Sequence, residues 1–216
     1  MIPLRIAAIL LCSAASLTLP MAAGSAQMQT SSDATDLARV AAYIRETKSL
    51  VADFAQTDRR GQTLNGKLTL KQPGKIRFQY QQGVPLLIVG DGSALTLIDY
   101  EVRQVQRWPI KSSPLGALID PSRDFTKFSK VIQTGDSSLL SIEARDPKRP
   151  EFGTITLVFK RLPSAPGGLN LYGWVARDAQ GNRTAVRLTG QQYNAAVADS
   201  AFRWRDPRPQ GPRAGG

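Results

Sequence analysis

Hydrophobic residues along the chain follow two periods, one after the other. Between Asp33 and Thr47 they recur three and four positions apart, which is typical of an amphipathic helix with one buried stripe. After Ser49 apolar and polar residues alternate, for example in Gly66–Lys71 and Ile76–Tyr80, and alternation is typical of half-buried strands. The pattern predicts one helix followed by a long series of strands.

Turn signals separate the strands from each other. Pro73-Gly74 and Asp91-Gly92 each follow one strand-like run and precede the next, and Asp136-Ser137 marks a later hairpin. Further strands are predicted at Leu86–Val89, Leu95–Asp99, Gln104–Trp108, Leu139–Arg145, Thr154–Lys160, Leu169–Arg177 and Thr184–Tyr193. So many short strands without intervening helices favour one large, curved antiparallel sheet or barrel in a mainly β, α+β domain.

The alternation is interrupted once, between residues 113 and 132. Pro114 can open a short helix there, because its fixed φ suits the first helical turn. Leu115, Leu118 and Ile119 follow at helical spacing. A second short apolar patch, Phe125, Phe128 and Ile132, follows, so the sheet is predicted to be interrupted here by a short helix and this patch.

The first 26 residues have the order of a secretory signal. Arg5 is their only charge, an apolar run follows it, and the small residues Gly24–Ala26 lie where a signal peptidase cleaves. We predict that residues 1–26 are removed and that the mature chain begins near Gln27, since the apolar run is short for the alternative, a retained membrane anchor. Cys12 follows large apolar residues, so it is interpreted as part of the signal and not as a lipidation site. The predicted location is the periplasm.

The rest of the chain is predicted to form one domain, residues 27–206. A chain of 216 residues buries enough surface for a core without disulfide or metal. Residues 207–216 are rich in proline, arginine and glycine, and we expect them to form a flexible tail.

The composition excludes several kinds of enzyme. The chain has no histidine, which excludes Ser-His-Asp and Cys-His catalytic groups and His-ligated zinc, and its single cysteine leaves no disulfide within one chain. Asp91 with Asp99 is one remaining catalytic candidate, but Asp91 belongs to a turn signal. Lys111 beside Ser112 and Ser113 is the other, but this lysine lies in a polar stretch. We therefore predict no enzyme, no metal and no cofactor.

Basic residues outnumber acidic ones, 28 against 17, for a formal net charge of +11. Such a charge attracts anionic partners, including lipid headgroups and acidic protein surfaces. Nucleic-acid binding is not predicted, because the basic residues are scattered over strand-like segments without a recognised motif. A generally solvated basic surface is the alternative interpretation.

Four segments in the same order resemble a known family. Phe54–Thr57 is followed by Gly66–Phe78, which contains Lys-Gln-Pro-Gly-Lys, and then by Leu87–Gly92 and Ser113–Ile119. Together they are similar to the periplasmic outer-membrane lipoprotein carriers, the LolA family. The similar layout extends from about Asp36 to Pro207.

The resemblance implies a fold, an activity and a set of partners. The expected fold is an unclosed antiparallel β-barrel of about ten or eleven strands, with an N-terminal helix and a short helical lid over the concave apolar face. The expected activity is to take acylated lipoproteins from an inner-membrane ABC transporter complex and deliver them to an acceptor at the outer membrane. The protein would act as a monomer and without a cofactor.

The resemblance also implies the residues that bind acyl chains. The expected lining of the cavity consists of Leu68, Leu70, Ile76, Phe78, Tyr80, Ile88, Leu97, Leu115, Leu118 and Ile119. Without the resemblance, Leu68, Leu70, Ile76, Phe78 and Tyr80 are interpreted as an ordinary core beneath the N-terminal helix. Leu115, Leu118 and Ile119 are then the buried stripe of a short helix. At Gln72 enterobacterial-type members carry an arginine that ties the lid to the barrel, and a glutamine offers only neutral hydrogen bonds in its place.

A second function class stays open on this fold. An envelope sensor or a general lipid- or glycolipid-binding module would use a similar apolar cavity. A sensor is expected to carry a second domain or a membrane span, and the hydrophobic pattern predicts neither after the signal segment. This difference favours the carrier.

Overall fold

The computed structural model describes residues 23–110, 125–148 and 150–209. One helix, α1 (Ala23–Glu46), precedes eleven strands. The strands are β1 (Ser49–Thr57), β2 (Thr63–Lys71), β3 (Lys75–Tyr80), β4 (Leu86–Asp91), β5 (Ala94–Asp99), β6 (Gln104–Pro109), β7 (Ser129–Ile132), β8 (Leu139–Ala144), β9 (Thr154–Arg161), β10 (Leu169–Arg177) and β11 (Arg183–Tyr193).

The strands form one antiparallel sheet in the order β6-β5-β4-β3-β2-β1-β11-β10-β9-β8-β7. Strands that follow one another in sequence pair with each other, except β6 and β7, and the pairing of β1 with β11 joins the two halves of the sheet. Strands β6 and β7 lie at the two edges of the sheet. The expected unclosed antiparallel sheet with one N-terminal helix is confirmed, whereas the expected lid residues Leu115, Leu118 and Ile119 lie outside the described residues.

Two sequence predictions about secondary structure were wrong. Helix α1 begins at Ala23 and not at Asp33, because no proline lies between these positions and the residues there tolerate a helix. The strand pattern was predicted to be interrupted over residues 113–132, but Ser129–Ile132 forms strand β7, which pairs with β8 at positions such as Val131 and Ile142. Four residues are too few to show alternation, so the sequence pattern could not reveal this edge strand.

The main core lies on the concave face of the sheet, against α1. Val40, Tyr43 and Ile44 of the helix are buried among inward-facing residues of β1–β3 and β8–β11. Tyr43 makes edge-to-face contacts with Phe159 and Tyr193, at centroid distances of 5.0 and 5.9 Å. The helix therefore covers part of the apolar face that an unclosed sheet leaves open.

A smaller core lies on the convex face, under residues 195–205, which we call the C-terminal strap. Phe202 of the strap is buried against Leu87, Val89 and Ile98. Polar contacts hold the same segment to β2 and β3. These contacts are an ion pair of Lys71 with Asp199 at 2.7 Å, an ion pair of Lys75 with Asp199 at 3.0 Å, and hydrogen bonds from Arg77 to the carbonyls of Ala201 and Arg203. The strap thus gives the outward residues of β4 and β5 an apolar cover.

Removal of the Phe202 ring tests the strap as a structural element. Phe202→Ala should lower the free energy of unfolding by about 3 kcal/mol, the lower end of the range for buried aromatic residues, because the second core is small. Arg205→Ala, at an exposed position of the strap, should change it by less than about 0.5 kcal/mol. Urea denaturation measures both, and a loss below about 1 kcal/mol for Phe202→Ala would contradict the strap's role.

Candidate functional site

Strand register brings the predicted site residues together in a row across the concave face. Leu68 pairs with Phe78, Phe78 with Ile88, and Ile88 with Leu97, so one residue from each of β2, β3, β4 and β5 lies side by side. Because these are directly paired positions of antiparallel strands, their side chains point to the same face. Leu68 and Phe78 are fully buried, whereas Ile88 and Leu97 are partly exposed.

The remaining described residues of the predicted set flank this row. Leu70 pairs with Ile76 on one side of it, and Tyr80 pairs with Gly66 on the other. Leu70, Ile76 and Tyr80 are buried in the main core. The structure therefore brings together all seven of the predicted lining residues that it describes.

Aromatic rings fill the middle of the concave face. Phe54 contacts Phe78 and Tyr80 at centroid distances of 5.4 and 5.3 Å, and Phe78 contacts Trp174 at 6.1 Å, all edge to face. Phe78 lies on β3 and Trp174 on β10, which are separated by three strands in the sheet order. The sheet is curled so strongly that its two halves meet through these rings.

Gly66 makes room for this aromatic cluster. A Cβ atom at Gly66 would lie 2.7 Å from the ring of Phe54 and would also collide with the backbone carbonyl of Gln79. A side chain at Gly66 would therefore push Phe54 away from β2. The glycine lets the ring of Phe54 lie between Phe78 and Tyr80.

Trp174 belongs to the site, although the sequence alternation did not predict it. Leu169 and Leu171 point into the core, so strict alternation would place residue 174 on the outside. The register of β10 with β9 shifts between Leu171 and Gly173, and this bulge turns Trp174 inward. Gly173 within the predicted strand was the available signal, because a glycine inside a strand often marks a bulge.

One polar pair lies within the apolar face. The hydroxyl of Tyr80 donates a hydrogen bond to Oε1 of Gln56 at 3.0 Å. Burial raises the pKa of Tyr80 to about 12, so the phenol is neutral at physiological pH and continues to donate. The buried hydroxyl thus has a partner, and the face carries no charge at this point.

The concave face is more exposed at one end of the sheet, which we call the open end. The partly buried apolar residues toward this end are Leu64, Val84, Leu86, Ile88 and Ala176. The loops of residues 58–62, 81–85 and 178–182 lie at the same end, whereas α1 contacts the turn Pro166–Gly168 at the opposite end. An apolar ligand would therefore meet the concave face first at the open end.

An ion pair fixes the middle of α1 to the sheet. The guanidinium of Arg161 donates two hydrogen bonds to the carboxylate of Asp36, at 2.8 and 2.7 Å, and a third to the carbonyl of Ser137 at 3.2 Å. Asp36 is buried, and its hydrogen bonds raise the pKa of Arg161. Such a forked, charge-assisted contact fixes orientation as well as position.

Three side chains bind the free carbonyl groups at the end of α1. Gln72 Nε2 donates to the carbonyl of Ile44 at 3.4 Å, Lys48 Nζ to that of Arg45 at 2.8 Å, and Asn194 Nδ2 to that of Glu46 at 3.2 Å. The last carbonyls of a helix have no partner within the helix, so these bonds cap it. Gln72 therefore ties β2 to α1 through a neutral and long hydrogen bond.

Gln72 also leaves a polar atom without a partner. Its Oε1 is buried and accepts no hydrogen bond from the described part of the chain. A buried acceptor without a donor costs about 1–3 kcal/mol. The glutamine is thus a weak link between the sheet and α1.

A family model described as "Outer membrane lipoprotein carrier protein LolA" matches residues 45–205. This chain belongs to that family. A curated outer-membrane lipoprotein carrier protein from Chromobacterium violaceum is 29% identical over 199 residues, which cover 88% of this chain and 93% of the relative. Another from Dechloromonas aromatica is 26% identical, with 76% of this chain and 81% of the relative covered. The solved structure of a LolA superfamily protein from Nitrosomonas europaea has a TM-score of 0.47 and 10% identity, with coverage of 80% of this chain and 97% of that chain.

The family is one of carriers and not of enzymes. Within residues 23–110, 125–148 and 150–209, no group of three or more metal-ligating side chains comes together. No helix in the same ranges is long and apolar enough to cross a membrane.

Loss of the Asp36 charge tests whether the ion pair with Arg161 fixes α1 to the sheet. Asp36→Asn should lower the free energy of unfolding by about 2 kcal/mol, because the Arg161 guanidinium loses a partly buried, charged partner. Asp53→Asn breaks an exposed ion pair with Lys67 and should cost less than about 1 kcal/mol. Thermal or urea unfolding compares the two variants, and equal costs would contradict a special role for Asp36.

Replacement of Gln72 by arginine tests the link between β2 and α1. Gln72→Arg removes the acceptor without a partner and places a cation at the helix C-terminus, so it should stabilise the protein by about 1 kcal/mol. Gln81→Arg adds the same charge at an exposed turn and should change stability by less than about 0.5 kcal/mol. Urea denaturation measures both, and a Gln72→Arg protein no more stable than Gln81→Arg would show that the link lies elsewhere.

Proposed function

We propose that this protein is a soluble periplasmic chaperone that binds the acyl chains of lipoproteins and carries them to the outer membrane. The observation that carries the proposal is the continuous apolar row Leu68–Phe78–Ile88–Leu97 on the concave face of a LolA-family sheet. The row runs from fully buried to partly exposed residues, so part of it is accessible to an incoming chain.

In this proposal the bound acyl chain occupies the space in the middle of the concave face that the aromatic rings otherwise fill. The proposed lining consists of Leu68, Leu70, Ile76, Phe78, Tyr80, Ile88 and Leu97, with Leu115, Leu118 and Ile119 contributed by the segment outside the described residues. The chain enters at the open end, and the contacts among Phe54, Phe78 and Trp174 separate to admit it.

The energetic balance allows both loading and release. Each of the three aromatic contacts contributes about 1 kcal/mol beyond its buried area, so their loss costs about 3 kcal/mol. Each buried methylene supplies about 0.8 kcal/mol, so ten of them supply about 8 kcal/mol. The remaining gain is reduced further by opening the contacts of α1, and this keeps the closed and loaded states close in free energy, as delivery requires.

The proposed route and partners follow from the family. An inner-membrane lipoprotein-releasing ABC transporter complex would supply the cargo, and a lipoprotein acceptor at the outer membrane would receive it. The signal-like order of residues 1–26 supports export to the periplasm, with a mature domain of residues 27–206 that works as a monomer.

A charge on the concave face tests the proposed cargo site. Phe78→Glu places a carboxylate among acyl chains that cannot solvate it, at a cost of several kcal/mol, so it should abolish binding of an acylated lipoprotein. Gln79→Glu is the matched control, because residue 79 is exposed on the convex face and its Oε1 accepts hydrogen bonds from Arg77 that a carboxylate would also accept. A pull-down with a purified acylated lipoprotein measures binding.

Circular dichroism establishes that both variants are folded before binding is compared. If Phe78→Glu does not fold, Ile88→Glu serves in its place, since Ile88 belongs to the same row and is partly exposed. A folded variant of either kind that binds the lipoprotein as well as Gln79→Glu would contradict the proposed function.

A further inference from the structure

A groove lies on the convex face of the sheet, opposite the concave face that carries the apolar row. It has a volume of about 370 Å³, and small or short apolar residues form its floor. These residues are Ala55, Val158, Gly173, Val175 and Ala185. The groove lies at the bulge of β10, where Tyr172 is the extra residue and Gly173 places no side chain on the outward face. The C-terminal strap packs on β3 and β4, on the other half of the convex face.

An aromatic ring beside the groove holds two cations. The ammonium of Lys160 lies 4.7 Å from the ring centroid of Tyr172, and the guanidinium carbon of Arg187 lies 5.0 Å from it. Lys160 comes from β9 and Arg187 from β11, the two neighbours of β10. The cation–π contacts therefore fix two positive charges at the groove before any ligand arrives.

These two cations have no carboxylate partner among the described residues. Elsewhere on the convex face the lysines are paired, as Lys67 is with Asp53 at 3.0 Å and Lys130 with Glu143 at 2.9 Å. The charges of Lys160 and Arg187 are thus available to an external anion.

A second pair of cations continues the positive surface along the same hairpin. Arg177 of β10 pairs directly with Arg183 of β11, and both are exposed. Like charges at directly opposite positions destabilise an antiparallel pair. An external anion at this surface would relieve that repulsion, which adds to the attraction at Lys160 and Arg187.

The shape of the groove selects among anionic partners. A membrane surface is flat and would need protruding apolar side chains, but the exposed large apolar residues of the described chain are Tyr100, Val102 and Leu162, none of which lines the groove. A recessed apolar floor with cations at its rim instead suits an extended peptide that has acidic and small apolar side chains in alternation.

We propose that this convex groove docks an extended acidic segment of a partner protein. Its carboxylates pair with Lys160 and Arg187, and an apolar side chain between them rests on Gly173 and Val175. The site lies on the opposite face of the sheet from the apolar row, so a partner could remain bound here while the concave face is loaded or empty.

A labelled peptide tests the docking site. The probe is a fluorescein-labelled peptide of alternating glutamate and valine, and fluorescence anisotropy measures its binding to the full-length protein. Lys160→Gln combined with Arg187→Gln should weaken binding by roughly tenfold, because two rim charges are lost. Lys67→Gln combined with Lys130→Gln removes the same net charge from the same face and should change binding by less than about twofold.

A third variant separates the groove from general electrostatic attraction. Tyr172→Leu leaves the net charge unchanged but removes the ring that positions both cations, and we expect it to weaken binding by about threefold. Circular dichroism and thermal unfolding verify that each variant is folded. Equal weakening by the two double variants would overturn the proposal, since attraction would then follow net charge alone.

Vesicles provide the remaining comparison. Binding to vesicles of phosphatidylcholine with one-third phosphatidylglycerol should respond equally to the two double variants, because a membrane senses the overall positive charge. Vesicle binding that is lost only in Lys160→Gln with Arg187→Gln, while peptide binding is unchanged, would overturn the proposal in favour of a lipid-binding surface.

Discussion

An unclosed sheet must keep its concave apolar face covered, and most features of this structure follow from that constraint. Helix α1 covers one end of the face, and the rings of Phe54, Phe78 and Trp174 fill its middle by joining the two halves of the sheet. Rings can be displaced by other apolar groups at small cost, since each ring contact is worth about 1 kcal/mol. An external apolar chain can therefore take the place of these rings on the concave face.

The links between α1 and the sheet differ in strength, and this difference bears on how the face could open. The forked contact of Asp36 with Arg161 is charge-assisted and partly buried, whereas Gln72 at the end of the helix contributes one neutral bond. A firm anchor with a weaker contact at the helix end lets the helix shift without leaving the sheet. The family resemblance points to Gln72, and the structure adds Asp36 and Arg161 as the stronger link.

The common face of the concave row could be predicted from the sequence because side-chain direction follows from alternation, whereas its role in binding acyl chains rests on the family resemblance. With Leu68 and Phe78 on neighbouring strands joined by a tight turn, their common face follows from the two-residue period. The inward position of Trp174 depends on a bulge that breaks this period, and the Asp36–Arg161 pair joins residues 125 positions apart. Such contacts depend on how the sheet curls, which a local pattern does not contain.

Photocrosslinking from the concave face tests the central claim most directly. A benzophenone amino acid placed at Ile88, in the partly exposed part of the row, would react within the native cell envelope with whatever occupies that face. Mass spectrometry should then identify acylated lipoproteins joined to position 88, and the same group at the convex, exposed position of Lys67 should yield none. Crosslinks from position 88 only to this chain itself or to proteins without acyl chains would contradict the carrier mechanism.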